Sequence, residues 1–205
     1  QNDIFGPDKV PLYSGKMFNR SAVFLDRDGT VIESIHRPDF VKKITAPFHE
    51  SELKFVPNAY LALSRLKEQG FLRILITNQP DVAHGHMEEK TWQKIHNRVK
   101  DTLCFDDIFM CRHLKEDNCP LKKPSPLMLQ AAADKWGIDL INSYMIGDTD
   151  ADMKAGKAAG CTTILIDRFY NQDVDCDWRV DDLMSGVKVV EIMDHLTSEP
   201  EANFN

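Results

Sequence analysis

Two aspartates separated by one residue, Asp26 and Asp28, follow the apolar run 22–25 and precede Gly29 and Thr30. In an extended chain, side chains two positions apart project to the same side, so both carboxylates face one space. Two neighbouring carboxylates are costly unless a cation or a proton lies between them. The spacing therefore favours a site over an ordinary turn, although Asp and Gly are also common turn residues.

Three further polar clusters follow apolar runs that have the composition of buried strands. Thr77 and Asn78 follow the run 71–76, a segment with Lys122 and Lys123 follows the run 107–111, and Asp148 follows the run 143–146. The carboxyl ends of parallel strands share one edge of a sheet, and ligands bind at that edge. The clusters are therefore expected to meet there, together with the Asp26 pair.

The elements that must position these clusters alternate between strand and helix. Apolar residues at helical spacing predict helices over residues 58–69, 88–103, 127–136 and 187–196, and a fifth strand is predicted over residues 162–166. This alternation predicts an α/β fold, a three-layer Rossmann-like and mostly parallel sheet with helices on both faces. The long connection 31–57 predicts a binding loop or lid.

The chain has 205 residues and a formal net charge of −7. We expect an N-terminal extension over residues 1–20, a single domain over residues 21–196 and a C-terminal tail over residues 197–205. The negative charge argues against broad nucleic-acid binding, which needs many contacts between basic side chains and phosphates. No apolar stretch is long enough to cross a bilayer. We expect a cytoplasmic monomer or small homo-oligomer, with most of its five cysteines as reduced thiols.

Carboxylates, a hydroxyl and a lysine that converge suit phosphoryl transfer with a hard divalent cation. Mg²⁺ prefers carboxylate oxygens and substrate phosphate oxygens, which fits Asp26, Asp148 and the backbone carbonyl of Asp28. With Lys123 and the cation neutralising charge, one carboxylate can attack phosphorus. Asp28 would then exchange protons with the leaving group and with water, and Thr77 would bind the phosphoryl oxygens.

The clusters in their order along the chain resemble the four motifs of the haloacid dehalogenase (HAD) superfamily of phosphatases. The matching residues are Asp26-Arg27-Asp28-Gly29-Thr30, Thr77-Asn78-Gln79, Lys123-Pro124 and Gly147-Asp148 with Asp152. The resemblance implies that Asp26 is the nucleophile and Asp28 the general acid and base. It also implies that phosphate is bound by Thr77, Asn78 and Lys123, and that Mg²⁺ is held by Asp26, the Asp28 backbone oxygen and Asp148, with Asp152 in support.

Arg27, the run 77–85 and a Cys-x-His segment before Lys123 narrow the resemblance. They are similar to the branch that contains histidinol-phosphate and D-glycero-D-manno-heptose-1,7-bisphosphate phosphatases, which lack a large cap domain and close the pocket with loops. The resemblance implies a small phosphorylated substrate, either a sugar phosphate such as a heptose bisphosphate or an amino-alcohol phosphate. Polar residues of the loops are then candidate substrate contacts, namely Arg27, His36, Arg37, His84, His86 and Arg112.

Many members of that branch also bind a structural Zn²⁺ through cysteine and histidine. This chain keeps three candidate ligands, Cys111, His113 and Cys119, but has Leu121 where the fourth is expected. Structural zinc is almost always four-coordinate. A site completed by a carboxylate or water and a loop that binds no zinc therefore both stay open.

The function that the sequence predicts is a Mg²⁺-dependent phosphomonoesterase that works through an aspartyl-phosphate. A histidinol-phosphate phosphatase and a nucleic-acid 3′-phosphatase are alternatives, although the latter class usually has an apolar residue at the position of Arg27. A catalytically silent, metal-bearing binding protein is a further alternative. Intact Asp26 and Asp28 count against it, because an inactive relative is free to lose either residue.

Overall fold

The computed structural model describes residues 18–40 and 43–198. The strands in these ranges are β1 (Ala22–Leu25), β2 (Ile35–His36), β3 (Ile44–Thr45), β4 (Leu72–Asn78), β5 (Asp107–Cys111), β6 (Tyr144–Gly147), β7 (Thr162–Ile166) and β8 (Trp178–Val180). The α-helices are α1 (Ala59–Glu68), α2 (Glu89–Leu103), α3 (Leu127–Trp136), α4 (Asp150–Ala159) and α5 (Leu183–Ser198).

Six strands form one parallel sheet in the order β5-β4-β1-β6-β7-β8. The chain moves from β1 outward to β4 and β5, then returns to the other side of β1 to form β6, β7 and β8. The point where strand order reverses lies at β1, and in such sheets this is where ligands bind beyond the carboxyl ends. Asp26 follows β1 directly. The predicted fold class is confirmed.

Both faces of the sheet are covered by helices. One core contains apolar residues of α1, α2 and α5 and the side chains of Val23 and Leu25 from β1. The other contains residues of α3 and α4 and the side chains of Ala22 and Phe24. All four residues of β1 have exposed fractions of 0 %, so this strand is held rigidly at the centre of the three layers.

The elements differ from the sequence predictions at a few points. The predicted strand 71–76 runs on to Asn78, because Thr77 and Asn78 pair with Met110 and Cys111 of β5. The predicted loop 31–57 contains the short β2–β3 pair and a 3-10 turn at Glu50–Glu52, and its described residues form no folded cap. Strand β8 was not predicted, because it is a three-residue edge strand that lacks a buried run. The last helix begins at Leu183 rather than at residue 187, since Leu183 is buried in the core.

The predicted N-terminal extension lies mostly, and the predicted C-terminal tail almost wholly, outside the described residues, so the domain boundaries stay predictions. Cytoplasmic location and oligomeric state also stay predictions. Within the described ranges, no helix has the length and apolar character needed to span a membrane. All five cysteines carry free thiols.

The close packing of α4 on the sheet generates a stability prediction. A Cβ added at Gly156 would lie 2.7 Å from Cβ of Met145 and 2.9 Å from Cγ2 of Thr163. Overpacking of this kind costs about 1–3 kcal/mol, more than the roughly 1 kcal/mol that alanine gains over glycine in a helix. We expect Gly156→Ala to lower the free energy of unfolding by up to about 2 kcal/mol in urea titrations.

Gly186 in α5 is the matched control. There an added Cβ would meet its nearest atom, Cδ1 of Ile146, at 3.5 Å, which is ordinary van der Waals contact. Gly186→Ala is therefore expected to raise the free energy of unfolding by up to about 1 kcal/mol. Equal effects of the two substitutions would contradict this account of how α4 packs.

Candidate active site

Lys123 joins the segments that meet at the carboxyl edge of the sheet. Its ammonium group donates hydrogen bonds to Oδ1 of Asp26 at 2.8 Å, to Oδ1 of Asp152 at 2.6 Å and to the carbonyl of Ile76 at 2.7 Å. Asn78 at the end of β4 fixes the main chain of Lys123, because its amide bonds both the Lys123 N–H and the Lys123 carbonyl at 3.1 Å. The lysine is thus held at both its backbone and its tip.

Three buried carboxylates surround this ammonium group. Asp26, Asp148 and Asp152 each offer an oxygen within 4.8 Å of the others, and their exposed fractions are 8 %, 1 % and 0 %. Asp152 lies in the first turn of α4 and forms a capping box, in which its Oδ2 accepts from the Thr149 N–H at 3.0 Å and the Thr149 hydroxyl at 2.5 Å. The cluster carries more negative than positive charge when all its groups are ionised.

Burial, together with this excess of negative charge, shifts the pKa values of the clustered side chains. Burial raises the pKa of Asp26 to about 6, with Lys123 opposing the shift and Asp152 adding to it. Burial, reinforced by Asp26 and Asp152, raises the pKa of Asp148 well above its usual range. Burial also opposes charge on Lys123, but Asp152 and Asp26 outweigh it and raise the pKa of the lysine. Lys123 is therefore a charged ammonium at neutral pH.

The donor set fits a hard divalent cation such as Mg²⁺. Oδ1 of Asp148 is buried and has no hydrogen-bond partner among the residues that the structure describes. A buried carboxylate oxygen without a partner is costly unless a cation or a proton satisfies it. Oxygen atoms of carboxylates are also the ligands that Mg²⁺ prefers.

Asp28 faces the same cleft but is held by different partners. The guanidinium group of Arg27 donates from Nε at 3.1 and 3.2 Å and from Nη2 at 2.9 Å. Gln79 donates from Nε2 to Oδ2 of Asp28 at 2.6 Å and to the Thr77 hydroxyl at 3.0 Å. Gln79 is a positioning residue to which sequence reasoning assigned no role, and its place directly after Thr77-Asn78 was the available signal.

The cleft has a volume of about 240 Å³ and is lined by residues that include Asp26, Asp28, Asp81, Lys122, Lys123 and Asp148. Thr77 lies behind this surface with an exposed fraction of 0 %, and its predicted role in phosphate binding stays a prediction. Both atoms of the Asn78 amide are used by Lys123. This pairing makes Asn78 a support of Lys123 in this structure.

The three arginines predicted to contact substrate each pair with a carboxylate in the structure. Arg27 is 1 % exposed and bound to Asp28. Arg37 binds Glu52 at 2.6 and 2.7 Å. Arg112 binds Glu89 at 2.5 and 3.0 Å and lies over the ring of Trp92. Each guanidinium group has a carboxylate partner, and a role of these arginines in substrate binding stays a prediction.

Histidines of the loops lie at different distances from the cleft. His36 lines a neighbouring cavity of about 310 Å³ that shares Ser34 and Ile44 with the cleft. His84 and His86 stack on each other, and the ring of His86 also contacts Phe48 of the loop between β3 and α1. His86 therefore contributes to the docking of that loop.

Two residues that the sequence did not single out hold Asp148. The Tyr170 hydroxyl donates a short hydrogen bond to Oδ2 of Asp148. The Asn171 amide donates to the Asp148 carbonyl at 2.8 Å. Burial, with Asp148 adding to it, raises the pKa of Tyr170, so its phenol is a donor at neutral pH. Both residues lie between β7 and β8, where no motif or periodicity marked them.

The predicted zinc ligands also lie together. One ligand atom from each of Cys111, His113 and Cys119 falls within 4.8 Å of the others, and Sγ of Cys111 lies 3.7 Å from Nδ1 of His113. Leu121 offers no ligand atom, and its exposed fraction is 41 %. The cluster therefore provides three protein ligands where a structural zinc site needs four.

Fold and site together define a class of hydrolases in which carboxylates at the exit of a central parallel strand act in phosphoryl transfer. A family model described as "HAD-hyrolase-like" matches residues 120–175, which include Lys123, Asp148 and Asp152. Two curated relatives carry the name D-glycero-beta-D-manno-heptose-1,7-bisphosphate 7-phosphatase. The protein from Vibrio cholerae serotype O1 is 34% identical over 161 residues, covering 73% of this chain and 82% of the relative. The protein from Rhodopseudomonas palustris is 31% identical over 168 residues, covering 76% and 87%.

A solved structure supports the same family assignment. The D,D-heptose 1.7-bisphosphate phosphatase from B. bronchiseptica, complexed with magnesium and phosphate, aligns with a TM-score of 0.71 and 26% identity and covers 85% of this chain and 99% of its own. The chain belongs to the haloacid dehalogenase superfamily of phosphatases, in the branch that the sequence predicted. The predicted family and phosphatase class are confirmed.

The buried charge cluster predicts how the protein responds to loss of Lys123. Lys123→Met leaves Asp26 and Asp152 buried without their counter-charge, which is expected to cost about 3–5 kcal/mol of unfolding free energy at pH 7. Carboxyl groups whose pKa is raised by folding bind protons that the unfolded chain releases, so stability falls as pH rises through that window. The cost is therefore expected to shrink between pH 7 and pH 5.5, measured by urea unfolding in EDTA.

Lys122→Met is the matched control. The Lys122 ammonium donates to the carbonyl of His113 and forms no ion pair within the described ranges. Its replacement is expected to cost less than about 1 kcal/mol, with little dependence on pH. Similar losses in the two variants would contradict the assignment of Lys123 as the centre of the cluster.

Proposed function

We propose that the protein is a Mg²⁺-dependent phosphomonoesterase that hydrolyses a small phosphorylated sugar through an aspartyl-phosphate. The observation that carries the proposal is the position of Lys123 between Asp26 and Asp152, with Asp28 on the same cleft. One carboxylate is thus paired with an ammonium, and a second lies beside it in a separate hydrogen-bond network. Two carboxyl groups in different environments suit two different chemical roles.

In this proposal, Asp26 is the nucleophile. Lys123 holds Oδ1 of Asp26, and Oδ2 is the oxygen that forms the new bond to phosphorus. As the bond from phosphorus to the leaving oxygen breaks, Asp28 gives that oxygen a proton. Asp28 then takes a proton from the water that attacks the phosphorus of the phosphorylated aspartate. The bond from phosphorus to Oδ2 of Asp26 breaks, which releases inorganic phosphate and restores the Asp26 carboxylate. Arg27 and Gln79 keep the Asp28 carboxyl in reach of both events.

Asp26, the backbone carbonyl of Asp28 and Asp148 would hold the Mg²⁺, and Asp152 would support the site through Lys123. When bound, the cation supplies charge neutralisation for the phosphoryl oxygens and for the carboxylates around them. The unpartnered Oδ1 of Asp148 and the raised pKa values of Asp26 and Asp148 support this assignment. The magnesium named in the structure of the B. bronchiseptica relative supports it as well.

The substrate class is inferred from the relatives and from the cleft. The matching curated proteins are named as heptose-1,7-bisphosphate 7-phosphatases, which supports a sugar phosphate, and a heptose bisphosphate first among them. The cleft of about 240 Å³ suits a small molecule. Histidinol phosphate and a 3′-phosphorylated nucleic acid are the alternatives that the substrate test below must separate.

A Zn²⁺ ion held by Cys111, His113 and Cys119 stays a prediction. The three ligand atoms within 4.8 Å support it. The leucine at position 121 counts against a complete structural site, so water or a carboxylate such as that of Asp117 would have to serve as the fourth ligand. Asp117 already accepts a hydrogen bond from the Leu114 N–H at 2.7 Å.

The two carboxylates predict different outcomes for their amide variants. Asp26→Asn removes the nucleophile, so phosphate release from p-nitrophenyl phosphate with Mg²⁺ is expected to fall by more than about 10³-fold. Asp28→Asn keeps the nucleophile, and p-nitrophenol leaves without a proton donor. This variant is therefore expected to accumulate hydroxylamine-sensitive phosphorylated protein, detected by intact mass.

Thermal unfolding of both variants in EDTA is the control for folding. Asp26→Asn is expected to leave the protein folded, because it relieves repulsion within the acidic cluster. Asp28→Asn removes the counter-charge of the buried Arg27, so its thermal midpoint is expected to fall and its phosphorylation is measured below that midpoint. Turnover by purified Asp26→Asn at a rate near that of the parent protein would refute the nucleophile. Phosphorylated Asp26→Asn protein would place the covalent bond on another residue.

Substrate class is tested by kcat/KM over a panel of phosphate esters. The panel contains sugar monophosphates, sugar bisphosphates, histidinol phosphate, amino-alcohol phosphates and a 3′-phosphorylated oligonucleotide. We expect a sugar phosphate to exceed every non-sugar ester by at least about tenfold. A preference for histidinol phosphate or the oligonucleotide would replace the proposed class, and no turnover of any ester would favour the silent binding protein.

A further inference from the structure

The two carboxylate oxygens of Asp148 have different surroundings, because Tyr170 forms a hydrogen bond with only one of them. Its hydroxyl donates to Oδ2, whereas Oδ1 is buried and has no partner among the described residues. The same carboxylate offers one oxygen to the group formed with Asp26 and Asp152. Tyr170 thus holds one oxygen of Asp148 and leaves the other available to a cation.

The backbone of Gly29 also packs against the Asp148 carboxylate, nearest to the oxygen that Tyr170 bonds. A Cβ placed on Gly29 would lie only 2.1 Å from Oδ2 of Asp148, so the carboxylate lies directly against the main chain of residue 29. Rotation of the carboxyl group would break the hydrogen bond from Tyr170 or move an oxygen into this backbone. One orientation is therefore favoured before any cation arrives.

The segment that carries Tyr170 is itself held in place. The buried Asn171 amide donates to the Asp148 carbonyl at 2.8 Å and to the Ile166 carbonyl at 2.9 Å. Arg168 donates to the Gly29 carbonyl at 3.0 Å, and Arg179 of β8 donates to the main-chain carbonyl of Asn171 at 3.3 Å. These contacts join the exits of β1, β6 and β7, so Tyr170 is presented by a rigid support and not by a free loop.

We propose that Tyr170 is a positioning residue that sets the affinity of the site for its divalent cation by orienting Asp148. The inference rests on the proposed function in that Asp148 is taken as a cation ligand. Groups that hydrogen-bond a metal ligand keep it in the binding orientation, and removing such a group typically weakens metal binding about 10- to 100-fold. Tyr170 touches neither the proposed nucleophile nor the proposed acid in any hydrogen bond of the described residues.

The test measures Mg²⁺ affinity without turnover. The thermal midpoint of Tyr170→Phe is followed as a function of Mg²⁺ concentration, since a cation that binds only the folded state raises the midpoint according to its affinity. We expect the apparent dissociation constant to rise about 10- to 100-fold. The midpoint in EDTA reports separately whether the ring still packs, and the phenyl ring of Phe keeps the aromatic contacts of Tyr170.

Turnover provides the second readout. If Tyr170 acts by orienting Asp148, the Mg²⁺ concentration for half-maximal activity rises in the same proportion, while kcat at saturating Mg²⁺ returns to within about threefold of the parent. A merely structural role would lower stability or kcat without moving the Mg²⁺ dependence. Tyr60→Phe, at a residue 65% exposed on α1, is the matched control and should change neither quantity.

The outcomes separate this inference from the proposed function. A Mg²⁺ affinity of Tyr170→Phe within twofold of the parent value, with the parent showing a clear Mg²⁺ response, would overturn the role of Tyr170 alone. If neither the thermal midpoint nor the turnover of the parent protein changes with Mg²⁺ concentration, the metal site of the proposed function is overturned. The inference about Tyr170 is then overturned as well.

Discussion

The burial of one ammonium group among three carboxylates is the constraint on which the rest of the structure depends. Lys123 is 5 % exposed and bonds two of the three directly. An unpaired charge at that depth costs several kcal/mol, so the exit of β1, the end of β4 and the start of α4 are stable only where they meet. The pairing is incomplete, because one ammonium cannot neutralise three carboxylates. The same imbalance that opposes folding creates the attraction for a cation, which is a common trade between stability and function.

The second constraint is that the main chain must lie very close to the buried carboxylates, and glycine residues allow this. Gly29 has a φ of 82°, which a residue with a side chain rarely adopts. An added Cβ would also enter the space of the Asp148 carboxylate. Gly147 allows the same close approach to Asp152, because a Cβ added at Gly147 would lie 2.5 Å from the Cβ of Asp152. The glycines beside the acidic residues thus permit the cluster to be as small as it is.

The convergence of Asp26, Lys123, Asp148 and Asp152 could be predicted from the sequence, because each lies in a short motif at a strand end and parallel topology brings strand ends together. Their partners could not. Tyr170 reaches Asp148 from a connection without periodicity. Arg37 and Arg112 looked available as charges, but their carboxylates lie 15 and 23 positions away, and a pairing at that range depends on tertiary structure.

The contacts of Arg37 show how the loop between β1 and α1 is held beside the cleft. The hairpin β2–β3 carries Ile44 and Thr45 into the cleft wall. Arg37 binds Glu52 beyond that hairpin and lies 4.5 Å from the ring centre of Phe48, and Phe48 in turn contacts His86 near the end of β4. The side chain of Arg37, which was predicted to contact substrate, therefore holds the loop that forms this wall of the cleft. The contacts within the loop thus hold Ile44 and Thr45 in the wall of the cleft, so the loop contributes to the shape of the cleft.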